Sequence, residues 1–147
     1  MILSAYFDSG VISKWYVLEA TSTAAKRLRT RFPPPATLTH LHRVELTTAW
    51  QLKLFRGEAE ASGIARALER LRGDVDAGLW IAPTYDLGAV FRAAERIAGH
   101  HAASTGTRTL DILHVAAAIE LGEKNFVTGD KRQAALARDL GLLVTGG

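Results

Sequence analysis

The stretch from Thr107 to Lys131 constrains the fold of this chain more than any other part of the sequence. Between Leu110 and Leu121 only three residues are polar, which predicts a helix that is buried on most of its sides. Thr109 is a suitable N-cap residue, so Asp111 would lie in the first helical turn. Gly122 would end the helix. The stretch therefore places an acid at the start of a buried helix.

A second acid follows near the end of the same stretch. Asn125 to Thr128 predict a short strand, and Gly129 and Asp130 turn the chain into the next helix. An acid at the start of a buried helix and an acid just past a strand can point into the same crevice, so we treat Asp111 and Asp130 as candidate site residues.

The rest of the chain alternates short apolar runs with amphipathic stretches. Strands are predicted at Ile2–Phe7, Ala36–Thr39, Leu79–Ala82 and Leu142–Val144. A helix is predicted to follow Asp8–Gly10 and to run through about Trp15 and Leu18. Further helices are predicted at Thr21–Arg31, His40–Phe55 and Ala59–Ala77, from Leu87 through Ile97, and at Lys131–Leu140, with a loop at His100–Gly106. This alternation is typical of an α/β fold with a mostly parallel sheet.

Composition limits the classes of protein and of site. The 147 residues fit one domain, and the absence of cysteine excludes disulfides, thiolate zinc sites and a cysteine nucleophile. No apolar run reaches the ~20 residues that a membrane helix needs, and the N-terminus lacks the basic segment of a signal peptide. The net charge of +3 permits an anionic partner. We therefore expect a cytoplasmic protein with no membrane contact.

Glu45 lies within an apolar stripe of the helix predicted at residues 40–55. The stripe has helical spacing and is expected to face the core; it consists of Leu41, Val44, Thr48, Leu52 and Phe55. A carboxylate on a core-facing stripe is costly unless it is paired, protonated or bound to a cation. Glu45 is therefore either the partner of a basic residue or a functional acid.

Taken one at a time, the acids have structural explanations. Asp8, Asp111 and Asp130 could be helix caps or partners of a helix dipole. Taken together they indicate more, because acids at the ends of parallel strands converge on one edge of a sheet. Carboxylates gathered there repel each other, and a Mg²⁺ or Mn²⁺ ion, which prefers oxygen ligands, removes that repulsion. Such an ion can activate water and stabilise the charge of a phosphodiester transition state.

Three segments give the chain a resemblance to a known family. They are F-D-S-G-V-I-S-K-W-Y near the N-terminus, V-E-L-T-T-A-W in the first third, and T-L-D-I-L-H-V-A-A-A-I-E-L-G with F-V-T-G-D-K-R-Q-A-A-L-A-R-D-L-G-L near the end. Across essentially the whole chain the sequence resembles the PIN domain, and within it the VapC-type toxins of type II toxin–antitoxin pairs.

The resemblance implies a single PIN domain over residues 1–147, with an α/β/α sandwich fold and Mg²⁺- or Mn²⁺-dependent endoribonuclease activity. By match, Asp8, Glu45, Asp111 and Asp130 are the four acids of the family in chain order. Asp8 and Asp111 would be the principal metal ligands, and Glu45 and Asp130 would complete the site directly or through water. Thr128 matches a small hydroxyl residue that would orient Asp130 or a water.

The resemblance also implies partners: an RNA substrate, a cognate antitoxin and a second copy of the chain in a homodimer. An alternative is a PIN fold that binds RNA or protein and cleaves nothing, although the presence of all four acids argues against it. A phosphatase of the haloacid dehalogenase kind requires a second acid two residues after Asp8, where this chain has Gly10.

The histidines and most basic residues receive structural interpretations. His40 and His42 would lie on different faces of a helix, which argues against a zinc site, and His114 is interpreted as a core residue that could brace Asp111. Most basic residues are interpreted as surface charge, including Lys26, Arg27, Arg29, Arg31, Arg66, Arg70 and Arg72. Three others flank the acids and are candidates for phosphate contact: Arg108, Lys131 and Arg132. Trp15, Trp50 and Trp80 suit a core, a dimer interface or an antitoxin groove equally.

Overall fold

The computed structural model describes residues 4–146, which contain five short strands and seven helices. In chain order they are β1 Tyr6–Phe7, α1 Ser9–Tyr16, α2 Ser22–Arg31, β2 Ala36–Thr37, α3 His40–Phe55, α4 Ala61–Asp76, β3 Trp80–Ile81, α5 Leu87–Thr105, α6 Thr109–Glu120, β4 Asn125–Val127, α7 Lys131–Asp139 and β5 Leu143–Thr145. Ile2 and Leu3, which the sequence placed in the first strand, lie outside the described residues. No helix between residues 4 and 146 combines the length and the apolar character needed to cross a bilayer.

The described residues form two compact units: a first unit of residues 9–83, and a second unit of residues 4–8 and 84–146. In the first unit β2 and β3 pair in parallel, with Ala36 opposite Trp80, beside helices α1 to α4. In the second unit β4 lies between β1 and β5, and both pairings are parallel. The parallel strand pairing that the sequence predicts is therefore present in each unit.

Helix α3 has the predicted limits but a different buried face. Its N-cap is Thr39, whose hydroxyl accepts a hydrogen bond from the backbone nitrogen of His42. The buried residues of α3 are His42, Leu46 and Trp50. The stripe predicted to face the core is mostly exposed instead: Leu41 is half-buried, but the other four residues are exposed, with Val44 67% and Phe55 87% accessible. The predicted face was wrong because the buried face is carried by a histidine and a tryptophan whose polar atoms find partners.

Those partners explain the difference. The ring nitrogen Nδ1 of His42 accepts a hydrogen bond of 2.9 Å from the backbone nitrogen of Thr39 and completes a capping box. The indole nitrogen of Trp50 donates to the Ser13 hydroxyl at 2.8 Å. Buried polar atoms with partners carry little penalty, so both side chains can lie in the core. His42 is therefore a structural residue, as its spacing from His40 suggested.

Helix α5 is longer than predicted. Residues 100–105, expected to form a loop, continue the helix as far as Thr105. The helix ends at Gly106, which has a φ of 69° in the left-handed region that glycine adopts without strain. The N-cap is Asp86, whose side chain accepts a hydrogen bond from the backbone nitrogen of Ala89. The run of histidine, alanine, serine and threonine before Gly106 is therefore helical.

Candidate active site

Asp8 lies at the carboxyl end of β1, as predicted. Strand β1 pairs with β4, so that Phe7 lies opposite Val127, and the backbone nitrogen of Asp8 donates to the Val127 carbonyl at 2.8 Å. Both strand residues of β1 are fully buried, whereas Asp8 is half-buried. The apolar strand therefore fixes the backbone of Asp8 beside the end of β4, and the residue itself is only half-buried.

Asp111 and Asp130 lie at the starts of two helices of the same unit. Asp111 is half-buried in the first turn of α6, whose N-cap is Arg108 rather than Thr109. Asp130 is the N-cap of α7, and its Oδ1 accepts hydrogen bonds from the backbone nitrogens of Arg132 at 2.8 Å and Gln133 at 3.0 Å. Its other oxygen, Oδ2, forms no hydrogen bond within residues 4–146. Asp130 therefore caps α7 and uses one of its two carboxylate oxygens, Oδ1, to do so.

Gln133 joins these acids, and the sequence interpretation did not identify it. Its side chain is fully buried on the inner face of α7. The amide nitrogen Nε2 donates to Asp8 Oδ1 and to the backbone carbonyl of Asp111, both at 3.2 Å. The amide oxygen accepts a hydrogen bond of 2.6 Å from the Thr128 hydroxyl. One buried amide therefore contacts the ends of β1 and β4 and the first turn of α6.

The orientation of the Gln133 amide follows from these partners. Asp8 and the Asp111 carbonyl offer only acceptors, so the NH₂ group must face them and the amide oxygen must face Thr128. The Thr128 hydroxyl uses its proton in that bond and accepts from the backbone nitrogen of Asp130 at 3.0 Å. Thr128 therefore positions both Gln133 and the start of α7, which extends its predicted role as an orienting residue.

A sequence signal for Gln133 was available but pointed elsewhere. Asp130 and Gln133 have the spacing of a capping box, in which the glutamine would reach back to the backbone of the N-cap residue. Here the Thr128 hydroxyl accepts from that backbone nitrogen. The glutamine side chain is thereby left available for Asp8 and Asp111.

His114 is a buried histidine, as interpreted from the sequence, and it lies near Asp8. Its Nδ1 is 2.7 Å from the hydroxyl of Tyr6, and both side chains are fully buried. The Tyr6 ring in turn stacks on Phe126 of the neighbouring strand, with the ring centres 5.6 Å apart. A ring nitrogen of His114 lies within 4.8 Å of a carboxylate oxygen of Asp8. The packing of β1 on β4 therefore holds an imidazole beside the first acid.

A cavity of about 480 Å³ adjoins the two helix starts. Asp111 and Asp130 line it together with the three basic residues expected to contact phosphate, Arg108, Lys131 and Arg132. The two acids in its lining can hold a cation, and the guanidinium and ammonium groups in the same lining can hold an anion. The cavity therefore has the donor set for a metal ion and a phosphate group side by side.

Glu45, the remaining predicted acid, lies on α3 in the first unit. It is half-buried and one position before the buried Leu46. The second unit therefore brings together Asp8, Asp111, Asp130 and Thr128, and it adds Gln133 and His114 to them.

Comparison with known proteins gives structural matches only. No family model matches the chain, and no curated protein matches it. The solved structure of FitAcB from Neisseria gonorrhoeae is 18% identical, covers 97% of this chain and 96% of its own, and has a TM-score of 0.66. The Mycobacterium tuberculosis toxin VapC20, which cleaves the sarcin–ricin loop, is 20% identical over 90% of this chain and 94% of its own, with a TM-score of 0.64.

A third structure, PAE2754 from Pyrobaculum aerophilum, is 16% identical over 98% of this chain and 90% of its own, with a TM-score of 0.55. At these identities the likeness concerns the fold. The fold class predicted from the sequence is confirmed: the chain has a PIN-like α/β fold, similar to that of the solved toxin structures.

Proposed function

We propose that this chain is a metal-dependent endoribonuclease and the toxin of a type II toxin–antitoxin pair. The arrangement around Gln133 is the observation that carries the proposal. The buried Gln133 amide donates to the Asp8 carboxylate and to the Asp111 backbone carbonyl, and the backbone nitrogen of Gln133 donates to Asp130 Oδ1, so three acids distant in sequence share one hydrogen-bonding residue. Acids that serve only as helix caps have no need of a shared buried partner.

The chemistry of the donor set fits Mg²⁺ or Mn²⁺. Carboxylate oxygens are the ligands that these hard cations prefer, and the chain has no cysteine that would favour a softer metal. Asp8 and Asp111 are the proposed principal ligands, and Asp130 and Glu45 complete the site directly or through water. A bound cation would lower the pKa of a water and stabilise the charge of the phosphodiester transition state.

The residues of the chain have separate tasks in this proposal. Gln133 holds one oxygen of Asp8 by a hydrogen bond, which fixes the direction of the carboxylate before any cation binds. Thr128 fixes the Gln133 amide, and Asp130 presents its Oδ2 while Oδ1 caps α7. The cationic side chains at the rim of the cavity hold the phosphate groups of RNA, because their charges match the backbone of any sequence.

The proposed setting follows the resemblance to VapC-type toxins. The chain is a single PIN domain over residues 1–147, acts in the cytoplasm on RNA, forms a homodimer and is inhibited by a cognate antitoxin. Solved structures that match it over 90–98% of its length support one domain. The toxin VapC20 supports an RNA substrate, since that protein cleaves an RNA loop.

Cleavage of a pool of structured and single-stranded RNAs by the purified protein tests the proposal. Reactions contain Mg²⁺, Mn²⁺ or EDTA, and the variants are Asp8→Asn and Asp111→Asn. Asp139→Asn is the matched control, because Asp139 is an exposed acid of the same unit at the end of α7. We expect cleavage that needs metal, is lost in both variants and is retained in the control. Absence of both cleavage and metal binding in the unaltered protein would contradict the proposal and leave a binding module.

A further inference from the structure

Arg29 of α2 lies against two tryptophan rings instead of on the open surface. Its guanidinium carbon is 4.8 Å from the centre of the Trp15 ring and 4.3 Å from that of Trp80. The two indoles stack on each other with their centres 5.8 Å apart and their planes 24° from parallel. A guanidinium over indole faces is held by cation–π attraction. The interpretation of Arg29 as ordinary surface charge is therefore wrong.

The polar atoms that surround Arg29 are already engaged with each other. The Trp80 indole nitrogen donates to the Tyr16 hydroxyl at 2.7 Å, and that hydroxyl donates to Asp74 Oδ2 at 2.5 Å. Burial raises the pKa of the Tyr16 phenol, and its hydrogen bond to Asp74 raises the pKa further. Tyr16 therefore keeps its proton and directs it at Asp74.

Arg29 itself has a hydrogen-bond donor that is not used. Its terminal nitrogen Nη1 is buried and has no hydrogen-bond partner within residues 4–146. None of the ion pairs in that part of the chain includes Arg29. Burial lowers the pKa of the Arg29 guanidinium, which means that the surroundings disfavour its charge. A buried donor without an acceptor is costly, so an anion that entered beside Arg29 and reached Nη1, which solvent does not touch, would be bound favourably.

A cavity of about 320 Å³ adjoins this arginine. It is lined by Arg29, by the exposed Lys26 and Arg70, and by Asp74, which is the single acid on its wall. The Arg70 guanidinium lies 5.4 Å from the centre of the Tyr16 ring. Three basic side chains against one acid, itself accepting from Tyr16, make the cavity a site for an anionic group.

We infer that this cavity binds a backbone phosphate of single-stranded RNA, with Arg29 as its central contact. The inference rests on the proposed function for its choice of RNA. Both indoles are buried beneath Arg29, with Trp80 only 2% exposed, so no ring face is available to a base. The guanidinium fork matches a phosphate. Helix α2 carries four basic residues and no acid, and residues 9–83 contain eleven basic against seven acidic side chains, which favours a polyanion over a lone carboxylate.

The test measures binding of a labelled single-stranded RNA in EDTA over a series of salt concentrations. The variant is Arg29→Gln, and the matched control is Arg27→Gln, an exposed arginine two positions earlier on α2. Loss of one phosphate contact on a single strand lowers the slope of log K against log salt by about 0.7. We expect this decrease for Arg29→Gln with every RNA sequence, and no decrease for Arg27→Gln. Arg29→Lys retains the charge over the indoles but lacks the forked donors of the guanidinium, so we expect it to bind RNA with an affinity between those of the unaltered protein and Arg29→Gln.

A second measurement uses inorganic phosphate alone. At constant ionic strength, phosphate should change the tryptophan fluorescence of the unaltered protein and of Arg27→Gln, and not of Arg29→Gln. Equal slopes for the unaltered protein and Arg29→Gln would overturn the inference, and so would equal losses in both glutamine variants, which indicate a diffuse basic surface. Binding of an acidic peptide but not of RNA would also overturn it. Failure of the proposed function is distinguishable, because it appears as missing metal-dependent cleavage in the unaltered protein.

Discussion

Each of the two units contains a strongly polar side chain at which several contacts converge, the buried Gln133 in the second unit and the half-buried Arg29 in the first, and the two differ in how many of their hydrogen-bonding atoms have partners. In the second unit, Gln133 uses both sides of its amide, toward Asp8 and the Asp111 carbonyl and toward Thr128. In the first unit, Arg29 is held by two indoles but has a buried nitrogen without a partner within residues 4–146.

Gln133 and Arg29 therefore illustrate two ways in which a polar side chain can prepare a charged site. A satisfied amide fixes carboxylates in place, so the second unit presents negative groups whose positions do not depend on a ligand. A guanidinium with an unused donor retains hydrogen-bonding capacity, so the first unit presents a positive group that can still donate to a hydrogen-bond partner, as the proposed phosphate would be. The charge distribution agrees: the first unit has four more basic than acidic residues, whereas the remaining residues have seven basic and eight acidic ones.

Gln133→Leu tests the satisfied side of this comparison and has the largest expected effect. The substitution leaves the Thr128 hydroxyl, the Asp111 carbonyl and one oxygen of Asp8 without their shared partner. Because a buried polar group that loses its partner costs ~1–3 kcal/mol, we expect the free energy of unfolding to fall by about 3 kcal/mol in urea titrations.

Gln51→Leu is the matched control for that prediction. Gln51 is exposed on α3, so its replacement should change the free energy of unfolding by less than about 0.5 kcal/mol. Gln133→Glu, which retains the shape but places a carboxylate beside Asp8, should be destabilising as well. Equal stabilities of the Gln133→Leu and Gln51→Leu variants would show that the Gln133 network does not stabilise the second unit.

Tyr16→Phe tests the surroundings of Arg29 and has an intermediate expected effect. The substitution removes the acceptor of the Trp80 indole nitrogen and the donor to Asp74. Because Trp80 is almost completely buried, its N–H would be left without a partner, and we expect a loss of about 2 kcal/mol in the free energy of unfolding.

Tyr85→Phe is the control for the first unit's network, since Tyr85 is half-buried and belongs to the other unit. It should be neutral within about 0.5 kcal/mol. If Tyr16→Phe also left the free energy of unfolding unchanged, the Trp80 nitrogen would be able to bond to water. Arg29 would then not be the one group of this region that lacks a hydrogen-bond partner.

A pair of substitutions at Asp130 separates its two roles and has the smallest expected effect on stability. Asp130→Ala removes the cap of α7 and should cost ~1 kcal/mol. Asp130→Ser retains a capping oxygen and should be close to neutral, but it removes the carboxylate. Calorimetric titration with Mg²⁺ and Mn²⁺ should show weakened metal binding in both variants. Unchanged metal binding in Asp130→Ser would mean that Asp130 is a cap alone.

Local signals in the sequence predicted much of this structure. The limits of α3, the end of α6 before its αL glycine, the strand β4 and the start of α7 at Asp130 all follow from caps, glycines and periodicity. The second unit also brings Asp8, Asp111 and Asp130 into one network, as the ends of parallel strands led us to expect. The assignment of these acids and Glu45 as metal ligands stays a prediction.

Three of the errors share one physical cause. The buried face of α3 and the roles of Gln133 and Arg29 depend on polar atoms that become acceptable in the interior only when a distant residue supplies a partner. Hydropathy assigns His42, Trp50 and Gln133 to the surface, or to no face in particular. The partners that admit Trp50 and Gln133 to the interior include Ser13, Asp8 and Thr128, and only folding brings them near.

The sequence by itself therefore determined the elements, their parallel pairing and the acids that follow the strands, because these depend on short-range chemistry along the chain. The tertiary structure decided which polar side chains are buried and how the Asp8 carboxylate is oriented. It also decided that the buried Nη1 atom of Arg29 has no hydrogen-bond partner within residues 4–146. Those outcomes depend on hydrogen bonds and ring contacts between residues as far apart as Asp8 and Gln133, which no local pattern encodes.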